Sequence, residues 1–93
     1  MEPLRPISVF FSNIEKDQRI TLPHIGLYAA LLYVRILRGL INPIHVYSRE
    51  VMEIAKLYAP STYHRYIKQL DEYGYIRYEP SFKKNQASKI YFL

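Results

Sequence analysis

Six polar side chains between residues 61 and 74 share one kind of chemistry: Ser61, Thr62, His64, Arg65, Lys68 and Gln69. Hydroxyl, imidazole, guanidinium, ammonium and amide groups are those that hydrogen-bond phosphate oxygens and the edges of bases. At about 100° per residue, a helix over this stretch carries Tyr63, Tyr66, Ile67 and Leu70 on one side. Ser61, Arg65, Lys68 and Glu72 fall on the other. One face is made for burial and the other for water. An ordinary solvated helix face has the same pattern, so the flanking elements must decide between the two.

The preceding element reads as a short helix. Ser48 is placed to cap it, with Glu50 in the first turn favourably set against the helix dipole. Val51, Ile54, Ala55 and Tyr58 are expected to face inward and Arg49, Glu53 and Lys56 outward. A tight corner at Ala59-Pro60 leads to residue 61, with either Pro60 as the first helical residue or Ser61 as the cap. Gly74 ends the helix. Beyond it the period becomes alternating: Ile76 and Tyr78 against Arg77 and Glu79, then Ile90 and Phe92 on one face of residues 89–93. The polar, basic stretch 80–88 between them predicts a β-hairpin with a charged tip.

Further back, Ile44-His45-Val46 reads as one short strand of a small sheet. A longer helix precedes it, capped by Thr21, tolerant of Pro23 in its first turn, and ending near Arg38 at Gly39. Ile25, Tyr28, Ala29, Leu32 and Ile36 form its expected main stripe. Leu27, Ala30, Leu31, Val34 and Leu37 cover much of the other side, so this helix needs two neighbours. An N-terminal arm over residues 1–20, read as extended or a short strand carrying Ile7, Val9, Phe10 and Phe11, can supply one. A second copy of the chain is the expected candidate for the other, making a homodimer through helix 22–38 and the arm.

Ninety-three residues accommodate one small domain. Ten of the 14 aromatic residues are tyrosines, which bury a ring while keeping a hydroxyl near water. The net charge of +5 is unevenly spread: residues 61–93 carry six basic and three acidic side chains and so hold +3 of it. That bias favours a polyanionic partner over an acidic small substrate. The chain has no cysteine, which excludes disulfides and thiolate metal sites and is compatible with a cytoplasmic location. The beginning of the chain does not read as a secretory signal, and the apolar run from Ile25 to Val34 falls well short of the roughly 20 residues of a membrane span.

Helix, strand, helix, tight corner, helix and basic hairpin resemble the winged helix-turn-helix family over about residues 21–93. The residues carrying the resemblance are Ile54-Ala55 and the run from Thr62 to Ile76, which is similar to the family's recognition-helix pattern. The order is threonine, apolar residue, polar residue, arginine, apolar pair, two polar residues, leucine, acidic pair, then glycine and isoleucine. The corner is about two residues shorter than the family's usual spacing, and Ala59 stands where a turn glycine is common. The resemblance implies an α+β fold with a three-helix core, a small antiparallel sheet and a C-terminal hairpin wing. It also implies double-stranded DNA as partner, transcriptional regulation and nucleoid association in a bacterial cytoplasm. Ser61, Thr62, His64, Arg65, Lys68 and Gln69 would then face the groove, and Lys83, Lys84, Asn85 and Lys89 would bring the wing to the backbone. The chain is also similar to small stand-alone winged-helix proteins of bacterial mobile elements.

The alternatives are a winged-helix module that binds protein, and a DNA-binding accessory factor for replication or excision of a mobile element. Catalysis has little support. His24, His45 and His64 form no pair at metal-ligand spacing, the three glycines stand apart and form no phosphate loop, and no nucleophile motif is present. No cofactor, metal or small-molecule ligand is expected.

Overall fold

The computed structural model describes residues 5–81, 83 and 86–93. Among these residues four helices and three strands follow the order α1 (Arg5–Ile14), α2 (Leu22–Leu37), β1 (Ile44–Val46), α3 (Ser48–Ala55), α4 (Pro60–Glu72), β2 (Ile76–Glu79) and β3 (Ser88–Phe92). The result is an α+β fold of four helices and a small three-stranded antiparallel sheet, with α4 packed against β2. Strand order is β1-β3-β2, with Ile44 opposite Ile90 on one side of β3 and Tyr78 opposite Ile90 on the other. Alternation works as expected here: Ile76 and Ile90 are buried and Arg77 and Lys89 are exposed. The side chain of Asn42 extends β1 by one rung. Its Nδ2 donates to the Phe92 carbonyl and its Oδ1 accepts the Phe92 N–H, both at 3.0 Å.

The N-terminal segment departs from the extended arm that the sequence suggests. From Arg5 it is the helix α1; residues 1–4 lie outside the described residues. Ile7, Phe10 and Ile14 recur at helical spacing, and Pro6 falls in the first turn, where an amide hydrogen has no intrahelical partner to lose. Phe10 is buried and stacks on Tyr28 of α2 with ring centroids 3.9 Å apart. The arm does cover α2, but as a helix.

A second tie holds this segment down. Arg19 donates from Nε and Nη2 to the two carboxylate oxygens of Asp17 at 2.8 and 2.9 Å. The Tyr75 hydroxyl donates to Asp17 Oδ2 at 2.6 Å, and the Arg19 guanidinium lies 4.2 Å from the Tyr73 ring centroid. The link joins the α1–α2 connection to the end of α4.

The buried side of α2 also differs from the expected stripe. Leu27, Tyr28, Ala30, Leu31 and Val34 face the core, together with His24 and Arg35. Ala29 and Ile36 are exposed. Periodicity alone could not choose, because the helix is apolar nearly all round; the packing of α1, α3 and α4 on α2 decides. Arg35 is tolerated inside because its Nε donates to the Ile41 carbonyl at 3.0 Å and its guanidinium sits 5.3 Å from the Phe92 ring centroid.

Three helices end in the same way. Leu40 N–H donates to Arg35 O, Leu57 N–H to Met52 O and Tyr75 N–H to Leu70 O, each reaching back five residues. That geometry needs a left-handed residue just before the donor. Gly39 at φ +83° and Gly74 at φ +87° supply it without strain, whereas at the α3–α4 corner Lys56 adopts φ +60°. The turn position sought at Ala59 therefore lies three residues earlier and is not a glycine. Because Lys56 breaks the helical period, Tyr58 is exposed and not inward-facing as expected.

Candidate nucleic-acid interface

The segment 61–74 is organised by burial of one side. Tyr63, Ile67 and Leu70 of α4 are buried against the core, and burial of the Tyr63 ring pushes its hydroxyl well above the usual tyrosine range. Its opposite side carries Ser61, Arg65, Lys68 and Glu72, all exposed. The first helical residue is Pro60, preceded by Ala59 in an extended conformation, so Ser61 is not the cap. The first intrahelical bond runs from Tyr63 N–H to Ala59 O at 3.1 Å, so the Ser61 and Thr62 amides lie ahead of the intrahelical ladder.

The six polar residues expected at a groove are not equivalent. Arg65 rests on its neighbour: Nη2 donates to the Tyr66 hydroxyl at 2.9 Å, with the guanidinium carbon 4.8 Å from that ring centroid. Lys68 is exposed, and among the described residues it makes no ion pair, including with Glu72 one turn on. His64 is half-buried and folds back on its own first turn, its Nδ1–H donating to the Pro60 carbonyl at 2.8 Å. Thr62 is half-buried as well.

Gln69 differs from the other five. Its Oε1 lies 2.7 Å from His24 Nε2 on α2, so the amide oxygen is engaged between two helices. Its position, between the apolar and polar sides of α4, let helical spacing assign it to either.

The hairpin stands beside α4, and a carboxylate fixes their relation: Tyr78 N–H, in the second half of β2, donates to Asp71 Oδ2 of α4 at 3.1 Å. Between them opens a cleft of about 670 Å³ lined by His64 and Lys68 from α4, Lys83 from the hairpin loop, and hydroxyls of Ser48, Ser81 and Ser88. Tyr47, Tyr63, Tyr78 and Gln86 complete its polar lining, and among the described residues lining it none is acidic. The loop is held by local bonds, Ser81 N–H to Ser88 Oγ at 3.3 Å and Gln86 N–H to Lys83 O at 3.2 Å. Lys83 is exposed at the tip. Lys89 is not at the tip but within β3, opposite His45 on one side and Glu79 on the other. Lys84 and Asn85 lie outside the described residues.

The cleft residues Ser48, Tyr78, Ser81, Gln86 and Ser88 were not singled out from sequence. Ser48 reads there as a helix cap, but Tyr47 holds that position and donates its N–H to Glu50 Oε1 at 3.3 Å. Ser48 becomes the first helical residue, with its side chain lining the cleft. Alternation marks Tyr78 as simply inward-facing, although it is only half-buried.

Among the described residues no group of three or more His, Asp or Glu side chains is placed to hold a metal ion, and no helix is long and apolar enough to cross a membrane. No family model, no curated protein and no solved structure matches the chain.

Proposed function

We propose that the protein binds double-stranded DNA with sequence preference, as a winged helix-turn-helix. In this reading α2, α3 and α4 are the three-helix core, α4 is the helix that enters the major groove, and the β2–β3 hairpin is the wing. The observation that carries it is the outer side of α4. Ser61, Arg65 and Lys68 are all exposed there, opposite a side fully committed to the core, and the cleft beside them is lined by cations and hydroxyls with no acidic group among its described residues. A helix of this width fits a B-form major groove of about 12 Å. Arg65 can leave its stack on Tyr66 to make paired hydrogen bonds to a guanine edge, while Lys68 and Lys83 contact phosphates. Occupying such a site near a promoter would regulate transcription.

The test is a salt titration of binding to random duplex DNA and to duplexes selected from a random pool. Binding should weaken steeply with salt, with a logarithmic slope of about −3 to −5 for three to five phosphates neutralised. Selected sites should be favoured over random DNA. Failure to bind either at low salt removes the proposal.

A further inference from the structure

The outward side of α2 is a feature that DNA binding leaves unexplained. Leu22, Tyr33, Ile36 and Leu37 are 79%, 51%, 56% and 59% exposed. With Gly26 and Ala29 they lie within about 60° of one line along the helix, opposite the buried Leu27–Leu31 side. Nothing charged interrupts that line: Arg35, the one charged residue of the helix, is turned into the core. Gly26 stands in the second turn of α2, inside the helix, where glycine is costlier than alanine. Among the described residues a Cβ there would meet nothing within 4 Å, so their packing gives no reason for glycine.

We infer that α2 pairs with α2 of a second copy, antiparallel and about a two-fold axis near Ala29, with the Tyr33 ring of each copy seated over Gly26 of the other. The spacing is self-complementary. In an antiparallel pair centred between residues 29 and 30, position 22 meets 37 and position 26 meets 33, so leucine opposes leucine and the glycine opposes the large ring. The same two-fold puts 26 and 33 on the same flank of the interface, and Ala29 at the crossing lets the helices approach closely.

Charge favours a second copy over an acidic partner. The chain carries +5, and two like-charged copies meet at least electrostatic cost through an uncharged side, whereas an acidic partner would be drawn to the basic sides. The patch is one helix wide and about 24 Å long, at the small end of specific interfaces, so the dimer should form reversibly.

Sedimentation of the free chain from about 1 µM to about 1 mM, without DNA, tests this. A concentration-dependent shift from monomer to dimer is expected, and monomer mass across the whole range overturns the proposal. The pairing is tested by Gly26→Ala, which should raise the thermal stability of the dilute chain yet weaken dimerisation about tenfold, because the added methyl occupies the ring's seat. Tyr33→Ala, at an exposed position that does not threaten the fold, should weaken it similarly, and the double variant should lose little more than either single one. A dimer unchanged or strengthened by Gly26→Ala would refute this pairing. Because DNA is absent, either outcome is independent of the proposed DNA binding.

Discussion

The imidazole of His24 bridges two helices: Nδ1 accepts the Thr21 backbone N–H at 2.9 Å and Nε2–H donates to Gln69 Oε1 at 2.7 Å. The first bond is half of a capping box in which histidine replaces the usual glutamate or glutamine. The second ties the start of α2 to the last turn of α4, and the Tyr66 ring stands edge-on to the same imidazole, 4.8 Å away. Tyr66 in turn carries the Arg65 guanidinium. One buried histidine thus helps to set both the rotation of α4 and the platform on which its exposed arginine rests.

Gln69 should accordingly behave as a structural residue. Gln69→Ala leaves the buried His24 Nε2–H without its partner and is expected to cost about 1–3 kcal/mol in urea denaturation. The base preference of any selected DNA site should be unchanged. A variant of full stability with altered preference would return Gln69 to the groove-facing set.

The α3–α4 corner can be improved. Lys56 holds φ +60°, a conformation that glycine adopts without strain, and its side chain is exposed. Lys56→Gly should stabilise the fold by about 0.5–1 kcal/mol. Gly74→Ala, at φ +87° with open space around the would-be Cβ, should destabilise it by about 1 kcal/mol from backbone strain alone. Opposite shifts in thermal midpoint are the expected result.

Asp17 makes the attachment of the N-terminal segment depend on pH. Hydrogen bonds from Arg19 and then from Tyr75 hold its carboxyl well below the usual carboxylate range. The unfolded chain binds a proton there near pH 4 while the folded chain does not, so this contribution is present above about pH 4 and lost as pH falls through the depressed folded value. Asp17→Asn should lower stability at neutral pH, and the gap from the parent should close as pH is lowered from about 5 to about 2. At the other extreme, burial and the bond to Asp17 push Tyr75 up to about 12. The same contact should therefore weaken as pH rises from about 10 towards that value. Thermal melts across this range, with α1 followed by proteolysis, measure both limbs. A gap that stays constant in acid would remove the role of Asp17.

Much of the fold was legible because two different periods agree with their surroundings. Tyr63, Ile67 and Leu70 could be assigned to a buried side of one helix, and Ile76 and Ile90 to one face of a hairpin, since each pattern has a polar counterpart. Legibility fails where that contrast is missing. In α2 every side is apolar, so spacing could not tell Leu27 and Leu31, which are buried, from Ala29 and Ile36, which are not. In α1 the close-set aromatics fit a strand or a helix equally well, and only the stacking of Phe10 on Tyr28 separates them. The candidate site was legible for Ser61, Arg65 and Lys68, whose positions on α4 suffice. It was not for Gln69 and Ser48, whose roles depend on His24 and Tyr47, partners that lie 45 residues away and one residue away respectively and that no local pattern marks.

Arg65 and Lys83 should fail in different ways if α4 reads bases and the hairpin tip follows the backbone. Arg65 is exposed and, among the described residues, rests on its neighbour Tyr66, so Arg65→Ala should leave the fold intact. Loss of a paired contact to a guanine should cost about 1–3 kcal/mol at one position of a selected site and relax preference there. Lys83 lies at the loop tip, where a phosphate contact carries no sequence information. Lys83→Ala should weaken binding to all duplexes by a similar factor and reduce the salt slope by about 1. Binding of each variant to a panel of single-base-substituted duplexes at two salt concentrations separates the two effects. Equal losses across the whole panel for both variants would mean that the outer side of α4 touches only backbone, and the base-reading role would have to move to other residues lining the cleft beside it.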